Sequence, residues 1–156
     1  MNDKKYYLAY GSNLNLNLLR NRCPYIEYVG ATVLDGYALA FRGSCDNYAY
    51  LTIEPQKDGI VPVGIFKISR EEEQALDYYE GFPLLYGKVY MPITIASEDI
   101  EALIYVMNRR YSYHIPSQDY FVECLRGYMH FKFDLTLLSE AFRRSSDNRG
   151  LIRIKK

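Results

Sequence analysis

The chain has no tryptophan, only two histidines, three cysteines and no surplus of charge of either sign. Each shortage removes a class of function. His114 and His130 lie far apart without ligand spacing, so no metal site is expected. Cys23, Cys45 and Cys124 are odd in number and form no Cys-x-x-Cys pair, which argues against a disulfide framework and for a reducing compartment. Cys23 and Cys124 read as small buried hydrophobes. Nineteen basic residues balance nineteen acidic ones, so no nucleic-acid partner is indicated. The basic ending from Arg149 to Lys156 reads as a solvated tail. No apolar run approaches the length of a membrane span and no secretory pattern opens the chain, so the expectation is a cytoplasmic protein without a membrane anchor. The paired-glycine dinucleotide pattern, the Lys-Ser/Thr nucleotide loop and the Gly-x-Ser-x-Gly elbow are also missing, and no cofactor is implied.

What the chain has instead is tyrosine: 17 of them, with 7 phenylalanines, among 156 residues. That length suits one domain with one core, expected over residues 1–144 with a polar, basic tail at 145–156. Tyr6 to Ala9 reads as an early buried strand, followed by a helix from Asn13 to about Arg22 that carries Leu14, Leu16, Leu18 and Leu19. Tyr28–Leu34 and Tyr37–Arg42 read as a hairpin about Asp35-Gly36. Tyr48–Glu54 and Ile60–Ile68 read as two further strands about a turn from Pro55 to Gly59, with Pro62 at an edge. Ser69 and Glu72 form a capping box for a helix that turns Ala75, Leu76 and Tyr79 inward and ends near Gly81. Two strands, Lys88–Ala96 and Glu101–Met107, flank a turn at Ser97-Glu98-Asp99. A tyrosine-rich loop from Arg109 to Pro116 precedes a helix capped by Ser117 and running to His130, and a last helix spans Leu135–Arg144. Residues 143–150 are expected to fray. Early hairpins, late helices and short connections predict an α+β fold with a mixed, mainly antiparallel sheet curled into a small barrel and flanked by helices.

Two stretches carry chemistry. In Tyr10-Gly11-Ser12-Asn13-Leu14 a strand passes into a helix through a glycine, and Ser12 and Asn13 are both good N-caps. Such a turn presents backbone N–H groups to a carboxylate or an oxyanion, though by itself it is an ordinary strand-to-helix turn. In Leu76-Asp77-Tyr78-Tyr79-Glu80-Gly81 the glutamate sits at a helix C-terminus among aromatic and apolar neighbours, with no adjacent Lys or Arg. Both conditions raise a carboxyl pKa toward the range useful for general acid/base work, though by itself Glu80 reads as a solvated residue before a helix-ending glycine.

Taken together, these stretches resemble the γ-glutamylcyclotransferase-like family (AIG2-like). Tyr86, six residues after the glutamate, and a later helix with Tyr120 and Gly127-Tyr128 extend the likeness over roughly the first 130 residues. The resemblance implies a small mixed β-barrel flanked by helices, often dimeric. It also implies conversion of a small γ-glutamyl compound into 5-oxoproline with release of an amine or amino acid. Glu80 would be the acid/base, Tyr10, Gly11, Ser12, Asn13 and Leu14 the substrate-binding loop, and Tyr86 a pocket hydroxyl. Ring closure by the substrate's own α-amine needs no protein nucleophile; it needs a held geometry, a proton carrier and donors for the oxyanion. Whether the loop grips the α-carboxylate or the oxyanion stays open. The alternative is a non-catalytic small-molecule-binding module on the same fold.

Overall fold

The computed structural model describes residues 4–152. Strand β1 (Lys5–Ala9) is short, and its last three residues are buried. It lies antiparallel to β3 (Ala49–Ile68), with Ala9 opposite Gly64, and parallel to β5 (Glu98–Met107). With β2 (Glu27–Gly43), β4 (Tyr86–Ile95) and the two-residue β6 (Ser112–Tyr113), the order across the sheet is β4-β5-β1-β3-β2-β6. Four helices flank this mixed, curled half-barrel: α1 (Leu16–Arg22), α2 (Arg70–Tyr79), α3 (Gln118–Phe131) and α4 (Thr136–Asp147). The fold class expected from the sequence is the one observed. Among the described residues, no helix is long and apolar enough to cross a membrane.

The early hairpins are not there. β2 stays paired with β3 from Glu27 to Gly43, and the chain reverses only once, through residues 44–48. The turn-forming residues are used for a bend instead. Asp35 faces Ile60 and Tyr37 faces Pro55, so the four residues 56–59 bulge opposite the single Gly36. Gly36 (φ 85°) and Asp58 (φ 63°) supply the positive φ that hairpin turns also demand, which is why the two look alike in sequence. Pro62 lies beyond the last β1 partner and pairs only with Val33 of β2, so the missing donor is tolerated there.

Elsewhere local chemistry holds, with shifted ends. Ser69 accepts from the Glu72 N–H while Glu72 accepts from the Ser69 N–H, and Gly81 (φ 64°) follows α2. The β4–β5 turn is the pair Ala96 (φ 50°) and Ser97 (φ 68°), so β5 starts earlier than expected, at Glu98, while β4 ends at Ile95 and gains its length at Tyr86. The tyrosine-rich loop contains β6, and its buried Tyr113 donates to Glu54. Residues 143–150 do not fray as expected. α4 buries Leu138, Ala141 and Ser145 along one stripe, and the Ser145 hydroxyl accepts from the Phe41 N–H of β2 at 2.9 Å. Residues 150–151 bond to Tyr113, and residues 153–156 of the basic ending lie outside the described residues.

The segment after β1 is also not the predicted helix start. Ser12–Leu14 form a single 3₁₀ turn, and α1 begins at Leu16, capped by Asn15, which accepts from the Asn17 N–H. Helix α3 lies against this turn. Its Gly127 allows contact with the Leu14 backbone, its Tyr128 hydroxyl donates to the Tyr10 carbonyl at 3.0 Å, and its Glu123 accepts from Asn15 at 3.0 Å. A Cβ on residue 127 would fall 2.6 Å from Leu14 Cβ and 2.7 Å from its carbonyl carbon. Backbone cannot yield as a flexible side chain does. Gly127→Ala is therefore expected to lower unfolding stability by about 1–3 kcal/mol, read as a drop in the urea midpoint.

Candidate functional site

The end of β1, the first residues of β3, the end of α2, the start of β4 and the face of α3 converge on one cavity of about 310 Å³. Of the seven residues singled out in the sequence, Tyr10, Gly11, Ser12, Asn13, Glu80 and Tyr86 line it. Leu14 does not. It is fully buried, packed between Gly64 and Gly127, and anchors the loop from behind.

Gly11 has φ −123°, so a left-handed conformation is not what calls for glycine there. A Cβ there would stand 3.4 Å from the Tyr120 hydroxyl and 3.5 Å from Leu51 Cβ, ordinary contact distances, against residues that themselves line the cavity. The caps expected of Ser12 and Asn13 are absent as well. Ser12 Oγ lies 3.5 Å from the Tyr79 hydroxyl, and Asn13 donates to the Tyr7 hydroxyl at 2.9 Å while accepting from Arg22. Among the described residues, the backbone N–H groups of Gly11, Ser12 and Asn13 find no protein acceptor. Three consecutive donors are thus left at the cavity.

The hydroxyls around them are mostly committed. Tyr10 donates to the Tyr105 carbonyl at 2.6 Å. Tyr86 donates to the Leu51 carbonyl at 2.6 Å, and the Leu51 N–H donates to Tyr120 at 3.0 Å. Leu51 lies on a part of β3 that has β2 on one side only, and two phenols finish its free edge. Burial pushes Tyr7, Tyr10, Tyr86 and Tyr120 above their ordinary values, so these phenols stay protonated near neutrality.

Glu80 is the exception. Half-buried at the C-terminal end of α2, it lines the cavity, and its carboxylate has no hydrogen-bond partner among the described residues. Burial raises its pKa to about 7, and Arg22 pulls the other way. The sequence shows no cation beside Glu80; the fold brings one from the end of α1. Its guanidinium stacks 3.2 Å above the centre of the Tyr79 ring and holds Asn13, outside the cavity lining. Motif reading missed Tyr79, although it stands directly before Glu80, and missed Arg22, Tyr7, Tyr50 and Tyr105, which join Glu80 through tertiary contact. The site can therefore offer an unpaired carboxyl that titrates near neutrality and, from the opposite loop, a row of donors for negative charge.

Comparison with curated proteins finds no match. Among solved structures, one named gamma-glutamyl cyclotransferase shares 20% identity at a TM-score of 0.77, covering 89% of this chain and 86% of its own. An uncharacterised protein from Homo sapiens shares 21% at 0.76, with the same coverage. A yeast gamma-glutamyl cyclotransferase named as specific to glutathione shares 9% at 0.61, covering 96% of this chain and 100% of its own. At these identities the likeness is one of fold. Sequence decides the family: the model described as gamma-glutamyl cyclotransferase, AIG2-like, matches residues 7–122, a span that takes in both the donor loop and Glu80, and the chain belongs to that family.

Proposed function

We propose that this protein converts a γ-glutamyl amide or peptide into 5-oxoproline with release of the amine or amino acid, and that Glu80 carries the protons. The observation behind this reading is the unpaired Glu80 carboxyl sharing a small cavity with the free N–H groups of Gly11, Ser12 and Asn13. Family membership and the names of two fold neighbours agree with it.

The substrate brings its own nucleophile and electrophile. Ionised Glu80 takes a proton from the α-ammonium, and the freed amine attacks the γ-carbonyl carbon to form the five-membered ring. The carbonyl oxygen becomes an oxyanion. The Gly11–Asn13 donors stabilise either that charge or the substrate's α-carboxylate, since both need the same N–H groups. The protonated Glu80 then donates to the leaving nitrogen and the original amide C–N bond breaks. The ring nitrogen still carries the second proton of the attacking amine; the restored carboxylate accepts it and passes it to the released amine, which departs as ammonium. One carboxyl thus handles both protons in turn, which suits a pKa near 7. Leu14 and Gly127 hold the loop, and Tyr86 closes the floor through Leu51.

Glu80→Gln keeps the shape and removes the titration. Release of 5-oxoproline is expected to fall on the order of 10²- to 10⁴-fold; unchanged turnover in a chromatographic assay would take Glu80 out of the mechanism. For the unaltered protein, kcat/KM should rise with pH through about 7 and then level off, since the base must first lose its proton. Stability runs the opposite way. The Glu80 pKa is raised in the fold from 4.5 to about 7, so its contribution is most favourable at acid pH and declines between those values. Glu80→Gln should therefore melt at a higher temperature than the parent at pH 8 and level with it near pH 4, as scanning calorimetry would show.

A further inference from the structure

We propose that Tyr7 is a catalytic residue whose hydroxyl donates to the oxyanion formed at the substrate's γ-carbonyl. This rests on the cyclotransferase reading and deepens it. The direction of two hydrogen bonds fixes where the Tyr7 proton lies. A guanidinium can only donate, so the Asn13 atom that meets Arg22 is the amide oxygen. The amide nitrogen is thereby turned to Tyr7 and donates to its oxygen at 2.9 Å. With that oxygen accepting, the Tyr7 proton points elsewhere, and among the described residues no protein acceptor meets it. Tyr7 lines the cavity and is only 2% exposed, so its proton can be met only from within the cavity. A buried donor left idle costs stability unless a ligand or water takes it up. The other phenols of the lining differ. Tyr10, Tyr86 and Tyr105 each donate to a protein oxygen at 2.6 Å, while Tyr50 and Tyr120 are half-buried and Tyr79 is exposed.

Glu80 decides which substrate oxygen Tyr7 serves. The α-amine and the leaving nitrogen, which exchange protons with Glu80, are both bonded to the γ-carbon once the ring has closed, so that carbon sits beside the carboxyl. Tyr7 is on the same side. Burial, and behind it the Glu80 charge, hold its pKa well above the ordinary phenol value, so it keeps its proton and acts only as a donor. The substrate's α-carboxylate is charged throughout and is repelled from this end by ionised Glu80. The γ-carbonyl oxygen gains its charge only after Glu80 has taken up a proton, and meets no such repulsion. Arg22 and Asn13 act through Tyr7. The guanidinium polarises the amide and the amide polarises the phenol, which strengthens the hydroxyl as a donor at the moment the oxyanion forms.

Tyr7→Phe removes the hydroxyl and keeps the ring that packs on Phe66 and Tyr105. Release of 5-oxoproline is measured from γ-glutamylalanine and γ-glutamylbenzylamide across pH. For whichever compound turns over, kcat is expected to fall about 10²- to 10³-fold. KM should stay within about threefold, because the contact is made in the transition state. The midpoint of the pH profile should remain near 7, since Glu80 is untouched. Asn13→Asp tests the same hydroxyl without removing it. The aspartate accepts from Arg22 and Tyr7 alike and turns the Tyr7 proton away from the cavity, so kcat should fall although the phenol is present. Adding Tyr7→Phe to that variant should then cost little more. An unchanged kcat in Tyr7→Phe, a loss confined to KM, a shifted pH midpoint, or full additivity in the double variant overturns the assignment and leaves cyclotransferase activity standing. No 5-oxoproline from either compound with the unaltered protein removes the reaction itself, and this inference with it.

Discussion

A strand edge inside a protein must have its N–H and C=O groups satisfied, and at Leu51 that requirement is met by side chains instead of another strand. A strand would have come within about 4.8 Å and filled the space. Two tyrosine hydroxyls at the ends of long side chains satisfy the same groups while keeping the walls apart. The hole that results is closed behind by β1 and α3 and faces the end of α2. Its polar groups are chiefly the loop donors and one carboxyl, since most of the phenols around them are engaged in holding the frame.

Within that frame the charges are arranged in two tiers. Arg22 is near enough to Glu80 to oppose the rise in its pKa, yet its hydrogen bond goes to Asn13 and its flat face to Tyr79. A direct ion pair would hold the carboxylate permanently ionised and fix it in place. Distance leaves burial as the larger effect, so the acid can exist in both protonation states near neutral pH. The bond to Asn13 ties the same guanidinium to the donor loop, so one cation both steadies the loop and tempers the acid opposite it.

Much of this was legible in the residues. Ser69 with Glu72, and Ser117 ahead of α3, marked helix starts because capping is chemistry between near neighbours. The loop Tyr10–Asn13 and Glu80, singled out through the family resemblance, line one cavity. What stayed hidden depended on distant partners. Asp35-Gly36 and the residues from Pro55 to Gly59 have the composition of two turns; only the pairing of β2 with β3 shows that they make one bend. Leu14 belongs to the motif by sequence but serves as packing, a distinction that needs Gly127 on the far side. Arg22 could not be placed beside Glu80 without the contact between α1 and α2.

The clasp of α3 on the donor loop joins residues 118 positions apart, Tyr10 and Tyr128. During synthesis the amino-terminal motif leaves the ribosome long before the helix that gives it shape, at about 5–20 residues per second several seconds earlier. The loop can take its working form only after most of the polypeptide has emerged. The site thus becomes competent late, although its first residues are among the earliest made.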